Sequence, residues 1–165
     1  MTVDLFVRNE SKRKRLYRTD VLRRLAETVC NGEGFQGDCQ LSLLLCDDQF
    51  IQNLNRRYRK EDKPTDVLSF RQDKPEFGTN DGGGHPEVLG DIVISLESVE
   101  RHCAKSAPNG APDTGSMRRE VRLLFCHGLL HLLGVHHDTE EARREMNAKQ
   151  ARYLGITKEA AWRSA

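Results

Sequence analysis

The pattern of apolar and polar positions divides the chain into four predicted strands and five predicted helices. Alternating or continuous apolar residues predict strands, and apolar residues at helical spacing predict helices. The predicted strands cover residues 3–7, 40–46, 66–70 and 89–95, and three of the predicted helices cover residues 16–30, 116–133 and 139–153. Two more helices are predicted after Asp47 or Asp48, through Tyr58, and after Ser95, through Cys103. This order predicts an α+β fold in which a mixed sheet of about four strands packs against helices.

Capping and turn residues separate these elements. Ser95 and Thr139 are expected to cap the helices that follow them, and Asp47 or Asp48 to cap the helix between residues 40–46 and 66–70. Asn31-Gly32 and Gly134 are expected to end the helices that precede them. Residues 71–88 and 106–115, which are rich in Gly and Pro, predict two loops.

Composition limits the class of protein. The chain has 165 residues, 37% of them hydrophobic and 31% charged, and lacks repeats, so residues 1–165 are expected to form one domain. The longest stretch without a fixed charge, residues 123–137, is too short to span a bilayer, which predicts that the protein has no membrane partner. Five cysteines without a CxxC pair predict buried, reduced thiols in an intracellular protein.

Three histidines close to a glycine carry the candidate chemistry. His127 and His131 lie four residues apart on the most apolar predicted helix, so both imidazoles leave the same helix face. A chain reversal at Gly134 can bring His137 back toward them. Three neutral imidazoles with an open fourth position form a catalytic zinc arrangement. The alternative is that the two helical histidines only hydrogen-bond to neighbouring carbonyls. In so apolar a helix, hydrogen-bond partners for all of their ring nitrogens are harder to find.

The position after the first histidine separates this helix from that of metallopeptidases. Those enzymes place a glutamate there as general base, whereas this chain has Gly128. A peptidase or amidase mechanism would therefore have no proton acceptor at this position of the chain. Gly128 is also expected to leave room for a bulky group near the metal.

Residues 127–137 (HGLLHLLGVHH) resemble the signature of the YbeY family of zinc-dependent endoribonucleases. Residues 55–70 (NRRYRKEDKPTDVLSF) and 89–95 (LGDIVIS) are similar to two further segments of that family, and the order of the three segments also matches. The resemblance covers most of residues 3–155. It implies one zinc ion per chain held by His127, His131 and His137, with Arg59 as the cleft residue that matters for activity.

The resemblance also implies a biological role. A member of the family would cut single-stranded RNA, process ribosomal RNA at the 3′ end of 16S, and act in ribosome maturation and quality control. The small ribosomal subunit and a helper GTPase are possible partners. Bacterial cytoplasm is the expected location, because an early strand leaves little room for a presequence, and an organellar homologue is the alternative.

One departure from the family pattern affects the third ligand. His136 stands where an acidic residue commonly precedes that ligand, and Asp138 follows it. Either His136 or His137 could reach the ion, and we favour His137 because it fills the matching position. A carboxylate that orients a ligand from outside the coordination shell could come from Asp138 or Asp91, although Asp91 could equally be a hydrogen-bond acceptor at a strand edge.

Basic residues provide the candidate RNA contacts, although the net charge is only +1. The candidates are Lys12, Arg13, Lys14, Arg15, Arg56 and Arg57. The alternative is a solubilising loop at residues 12–15 and a solvated helix face at Arg56 and Arg57. Aromatic residues are 6% of the chain, so backbone contacts rather than base stacking are expected to dominate. A competing function is that of a non-catalytic, zinc-stabilised RNA-binding or ribosome-assembly factor.

Overall fold

Segments in which apolar residues alternate or run together form the strands of one mixed sheet. The computed structural model describes residues 1–14, 16–72 and 85–162. Within these ranges the strands are β1 (Val3–Asn9), β2 (Cys39–Cys46), β3 (Val67–Arg71) and β4 (Glu87–Ser95). They lie in the order β1-β2-β4-β3; β1 and β4 run parallel to β2, and β3 pairs antiparallel with β4 at one edge. The predicted α+β class with a mixed sheet is confirmed.

Helices cover both faces of this sheet. They are α1 (Thr19–Gly32), α2 (Asp48–Arg59), α3 (Leu96–Ser106), α4 (Thr114–Leu132), α5 (Glu140–Leu154) and α6 (Lys158–Ala161). The five predicted helices correspond to the first five of these. The short α6 and a 3₁₀ turn at Pro108–Gly110 were not predicted.

The helix caps lie at the three positions that the sequence predicts. Ser95 accepts a hydrogen bond from the backbone N–H of Ser98, and Thr139 accepts one from Ala142. Asp47 occupies the N-cap of α2, but its side chain makes no capping hydrogen bond. The predicted position of the cap is therefore confirmed at Asp47, without the side-chain hydrogen bond that a capping aspartate usually accepts.

Several boundaries also differ from the prediction. Asn31-Gly32 lies inside the last turn of α1 rather than after it. β3 continues through Arg71 and β4 begins at Glu87, so the predicted loop at residues 71–88 is shorter at both ends. Residues 73–84 of that loop lie outside the described residues.

The two faces of the sheet bury unequal cores. The larger core joins Ile92 and Ile94 of β4 to α1, α3 and to Phe125 and Leu129 of α4. On the opposite face, Leu68 and Val93 pack with Ile51 and its neighbours on α2. The sheet therefore separates α4, which carries the histidines, from α2, which carries Arg59.

The remaining predictions from composition concern thiols and membranes. All five cysteines are buried and form no disulfide, as predicted. In the part of the chain that the structure describes, no helix combines the length and the hydropathy that crossing a bilayer requires.

Candidate metal centre

His127 and His131 leave one face of α4 and converge at their tips. Their Nε2 atoms are 3.1 Å apart, and the ring centroids are 4.6 Å apart. This is the arrangement expected of side chains four residues apart in a helix. The surrounding residues of α4 are buried, so the helix is fixed on the sheet and holds both rings in place.

The end of α4 turns the chain back toward these two rings. Gly134 adopts φ +91° and donates its N–H to the carbonyl of His131 at 3.0 Å. The next N–H, that of Val135, bonds to the carbonyl of Leu130 at 2.9 Å. These two bonds form a Schellman motif, in which the left-handed position favours glycine. The predicted reversal at Gly134 is confirmed.

The reversal brings His137 rather than His136 to the helical pair. The His137 ring centroid lies 5.5 Å from that of His127 and 4.8 Å from that of His131. Its backbone carbonyl accepts a hydrogen bond from Nε of Arg143 at 3.3 Å, which ties the turn to α5. His136 is exposed and lines the neighbouring cleft.

The three histidines, which we call the histidine cluster, fit a tetrahedral metal ion. Ring nitrogens of His127, His131 and His137 all lie within 4.8 Å of one another. Two nitrogens that are each about 2.1 Å from zinc at a tetrahedral angle are about 3.4 Å apart, close to the Nε2 separation on α4. Among the described residues, no fourth His, Cys, Asp or Glu joins this group. The cluster could therefore hold a metal ion and leave a coordination position for water or substrate.

Burial keeps the two α4 rings uncharged. It lowers the pKa of His127, despite a hydrogen bond to Gln150 that opposes the shift. Burial and, to a lesser extent, the neighbouring histidines lower the pKa of His131 to about 4. Both rings are neutral at pH 7, which is the form that binds a metal.

The absence of a side chain at Gly128 lets α4 pack closely against the sheet; it does not leave space beside the metal site. A Cβ atom at this position would lie 2.9 Å from Cγ2 of Ile92 and 3.0 Å from Oγ of Ser69. The hydroxyl of Ser69 donates to the Gly128 carbonyl at 3.3 Å. The expectation that Gly128 leaves room for a bulky group is therefore wrong, because α4 lies directly against β3 and β4 there.

Cys126 faces the interior and is not a ligand candidate. It is fully buried, and burial raises the pKa of its thiol to about 12. A thiol must lose its proton to bind a metal.

The histidine cluster lies between two cavities. The larger is a cleft of about 390 Å³ lined by β3, the histidines and two arginines, Arg59 and Arg71. The smaller, of about 90 Å³, is lined by His127, His137 and Asp66 among others. Arg71 and Asp66 are site residues that the sequence did not single out for chemistry, because their positions depend on how β3 lies beside α4.

The end of α2 directs Arg59 into the larger cleft. Lys60 adopts the left-handed conformation, with φ 61°, and ends the helix directly after Arg59. The buried amide of Asn55 donates to the carbonyl of Lys63 at 2.9 Å and holds the following turn. Arg59 thus reaches the cleft from the opposite side of the sheet to α4.

The two carboxylates considered as outer partners of a ligand are both exposed. Asp91 precedes Ile92 on β4, and because Ile92 faces α4, the alternation of the strand directs Asp91 to the other face. Asp138 follows His137 in the turn before α5. A different residue, Gln150 of α5, contacts the cluster: its Oε1 is 2.7 Å from Nδ1 of His127. A glutamine on an amphipathic helix gives no signal of this role in the sequence.

The basic candidates near the N-terminus are held against the protein. Arg13 forms an ion pair with Glu100 of α3, and Lys14 donates to the carbonyls of Asn9 and Ser11. Lys12 is exposed, and Arg15 lies outside the described residues. Lys12, Arg13 and Lys14 are not among the residues that line the cleft beside the histidines.

The basic candidates on α2 lie beside an exposed aromatic ring. Arg56 is exposed and contacts Asn53, whereas the Arg57 guanidinium lies 5.4 Å from the centroid of the Tyr58 ring. Tyr58 is 56% exposed and packs against Phe70 of β3 with a centroid distance of 5.1 Å. An accessible aromatic residue therefore lies among the arginines of α2, and the expectation that stacking makes no obvious contribution overlooked it.

Comparison with known proteins places the chain in a family. The family model described as Endoribonuclease YbeY matches residues 6–158. A protein of Pelotomaculum thermopropionicum named Endoribonuclease YbeY is 41% identical over 137 residues, or 83% of this chain and 84% of that protein. A protein of the same name from Bacillus cytotoxicus is 33% identical over 157 residues, or 94% and 95% of the two chains.

The fold has a solved counterpart as well. The solution structure of a Thermotoga maritima protein matches with a TM-score of 0.58 and 26% identity, covering 96% of this chain and 89% of that one. The family model and the curated relatives each span most of the chain, and the residues that the family model matches include the α4 histidines and Arg59. The chain belongs to the YbeY family.

Proposed function

We propose that this protein is a zinc-dependent endoribonuclease that cuts single-stranded RNA. The observation that carries the proposal is that the cleft beside β3 is lined both by the histidine cluster and by Arg59. The names of the curated relatives support RNA as the substrate. Three converging imidazoles with no fourth protein ligand among the described residues support a catalytic rather than a closed structural zinc site.

The residues of the cleft divide the chemical work. His127, His131 and His137 would hold the ion through their ring nitrogens. The chemistry that zinc supplies in such a site is polarisation of an oxygen ligand, with the pKa of a coordinated water lowered to about 7. Arg59 would donate to the phosphoryl oxygens and stabilise the negative charge that grows there during phosphodiester cleavage. Arg71, on the same cleft wall, would help to bind the phosphate backbone.

We also propose the biological setting that the family resemblance implies. The protein would carry one zinc ion per chain in the bacterial cytoplasm and process ribosomal RNA at the 3′ end of 16S. It would act in ribosome maturation and quality control, with the small ribosomal subunit and a helper GTPase as partners.

Metal analysis coupled to a cleavage assay tests the catalytic proposal. Purified protein is expected to contain zinc and to cut single-stranded RNA but not a duplex or a peptide; a chelator should stop cleavage and added zinc restore it. His127→Ala is expected to lose both zinc and activity. A protein that binds zinc and RNA without cutting it would instead be an assembly factor, and a protein that binds no stoichiometric metal would refute the proposal.

The role of Arg59 is tested separately. Arg59→Ala is expected to slow RNA cleavage by about 100-fold at unchanged zinc content, because it removes a charged donor to the phosphoryl oxygens. Arg59→Lys should recover part of the rate, since it keeps the charge but not the planar fork. Arg23→Ala, at an exposed arginine of α1 that does not line the cleft, is the matched control and should cleave at the wild-type rate. Equal rates for Arg59→Ala and wild type would exclude the electrostatic role.

A further inference from the structure

Gln150 connects the histidine cluster to the C-terminal helix. Its side chain is almost fully buried, with 2% of its surface exposed. Oε1 lies 2.7 Å from Nδ1 of His127, and Nε2 donates to the carbonyl oxygen of Ala161 in α6 at 3.0 Å. One amide group therefore contacts both the first histidine of the cluster and the backbone of α6.

The Ala161 carbonyl determines which way this amide faces. A carbonyl oxygen can only accept a hydrogen bond, so the NH₂ end of the amide must face Ala161. The carbonyl end of Gln150 then faces His127, and it too can only accept. Nδ1 of His127 therefore carries the proton that is donated to Gln150.

A neutral imidazole with a proton on Nδ1 has its lone pair on Nε2. Nε2 of His127 is the atom that lies 3.1 Å from Nε2 of His131. The lone pair is thus directed into the cluster, where a metal ion would be held. The opposite tautomer would direct an N–H group at the ion and prevent His127 from binding it.

We propose that Gln150 is a positioning residue that selects the metal-binding tautomer of His127, and that the Ala161 carbonyl holds Gln150 in the required orientation. Only the expected effect of Gln150 on zinc affinity rests on the proposed metal-binding role of the histidines. The tautomer itself is a property of the metal-free protein. Other proteins commonly orient a metal-binding histidine with a carboxylate or a backbone carbonyl; here a neutral amide does so, and α6 completes the arrangement.

Two substitutions distinguish a role of Gln150 in selecting the His127 tautomer from a purely structural role, in which its side chain only joins α5 to α6. Gln150→Glu keeps an acceptor for His127 but has no donor for Ala161. Gln150→Met has a similar length and neither group. A positioning role predicts that Gln150→Glu keeps the Nδ1–H tautomer and binds zinc as well as wild type, whereas Gln150→Met populates both tautomers and binds zinc about 10–100-fold more weakly. A purely structural tie predicts that the two variants are equally impaired.

Asn147 provides the matched control, because it makes the same kind of tie one turn earlier. Its Nδ2 donates to the carbonyl of Lys158 in α6 at 2.9 Å, so it joins α5 to α6 without a hydrogen bond to a histidine. Asn147→Leu is expected to destabilise the attachment of α6 while His127 keeps its tautomer.

Two measurements decide the question. Long-range ¹H–¹⁵N correlation spectra of the metal-free protein at neutral pH report the His127 tautomer, and competition with a chromophoric chelator reports zinc affinity. The proposal is overturned by an Nε2–H tautomer in wild type, by wild-type affinity in Gln150→Met, or by equal losses in both Gln150 variants. Should Gln150→Met fail to fold, the tautomer in Gln150→Glu decides, with Nδ1–H in support and Nε2–H against. A wild-type protein with the Nδ1–H tautomer and no zinc affinity would refute the proposed function but not the tautomer assignment.

Discussion

The histidine cluster and a second polar cluster, formed by Asp48, Ser95, Ser98 and Arg101, differ in how their charges are balanced. In the second group, the Asp48 cluster, the carboxylate accepts hydrogen bonds from Ser95 at 2.7 Å and Ser98 at 2.8 Å, and it pairs with Arg101. Burial alone would raise the pKa of Asp48, but these partners lower it below its usual value.

The histidine cluster has the opposite character. It brings together three similar bases, and the side-chain hydrogen bond of His127 runs to a neutral amide. The neighbouring bases disfavour protonation of His127 and His131, although Asp66 opposes this in part at His127, and their lone pairs are left for a cation. The comparison teaches that a charge-balanced cluster stabilises the fold, whereas a cluster of like groups in a cleft is where a ligand is expected.

The largest effect is expected from removing one histidine. His131→Ala should reduce zinc binding and RNA cleavage to background, because two ligands cannot hold the ion in the same geometry. Metal analysis and a cleavage assay measure the two losses, and circular dichroism checks the fold. Wild-type zinc content in this variant would show that the histidine cluster does not bind the metal, and the proposed difference in role between the two clusters would be wrong.

The converse change is Asp48→Ala. It should lower the free energy of unfolding by about 1–3 kcal/mol, because the hydroxyls of Ser95 and Ser98 lose their shared acceptor. Zinc affinity should stay at the wild-type value. Chemical denaturation and chelator competition measure the two quantities, and a loss of zinc affinity at wild-type stability would contradict the assignment of this cluster to the fold.

The pH dependence of stability should separate the clusters in the metal-free protein. The pKa of His131 is about 4 in the folded chain against 6.5 for a free histidine, so the unfolded chain takes up the proton first. Stability should therefore fall as the pH drops from about 6.5 to 4. The lowered pKa of Asp48 acts only below its ordinary value of 3.8, where protonation removes the ion pair. His131→Asn should reduce the slope between about pH 6.5 and 4 and leave the part that His127 contributes, without changing the lower window; an unchanged slope there would show that the His131 ring does not titrate as described.

The smallest effect is expected at Tyr58. If a base of bound RNA stacks on this exposed ring, Tyr58→Ala should weaken binding of single-stranded RNA by about 5–10-fold, near the lower limit for one stacked base. Tyr58→Phe should bind normally because it keeps the ring. Phe50→Ala, at another exposed aromatic residue of α2, is the control. Fluorescence anisotropy with labelled RNA measures the affinities, and equal losses at Tyr58 and Phe50 would argue against stacking.

Local sequence predicts the parts of the site that depend on local geometry. The four-residue spacing of His127 and His131 and the glycine that reverses the chain both act within a few turns of α4, so the convergence with His137 could be anticipated. The position of Arg59 beside the histidines depends on β3 lying between α2 and α4, and helical periodicity contains no information about that.

The errors have the same origin. Gly128 was assigned to the metal side because the helix was considered without the sheet that packs against it. Asp91 was held equally open as an outer partner of a ligand and as a strand-edge acceptor, and only the alternation along β4 indicates that its side chain faces away from α4. Gln150 was missed because its contact joins positions 23 residues apart.

The chain reversal at Gly134 confines all three histidines to residues 127–137. Closing so short a segment around an ion costs little chain entropy, because that cost grows with the logarithm of the number of residues enclosed. Arg59, by contrast, reaches the cleft only when α2, the sheet and α4 are assembled. In mild denaturant the protein should therefore stop cutting RNA before it releases its metal.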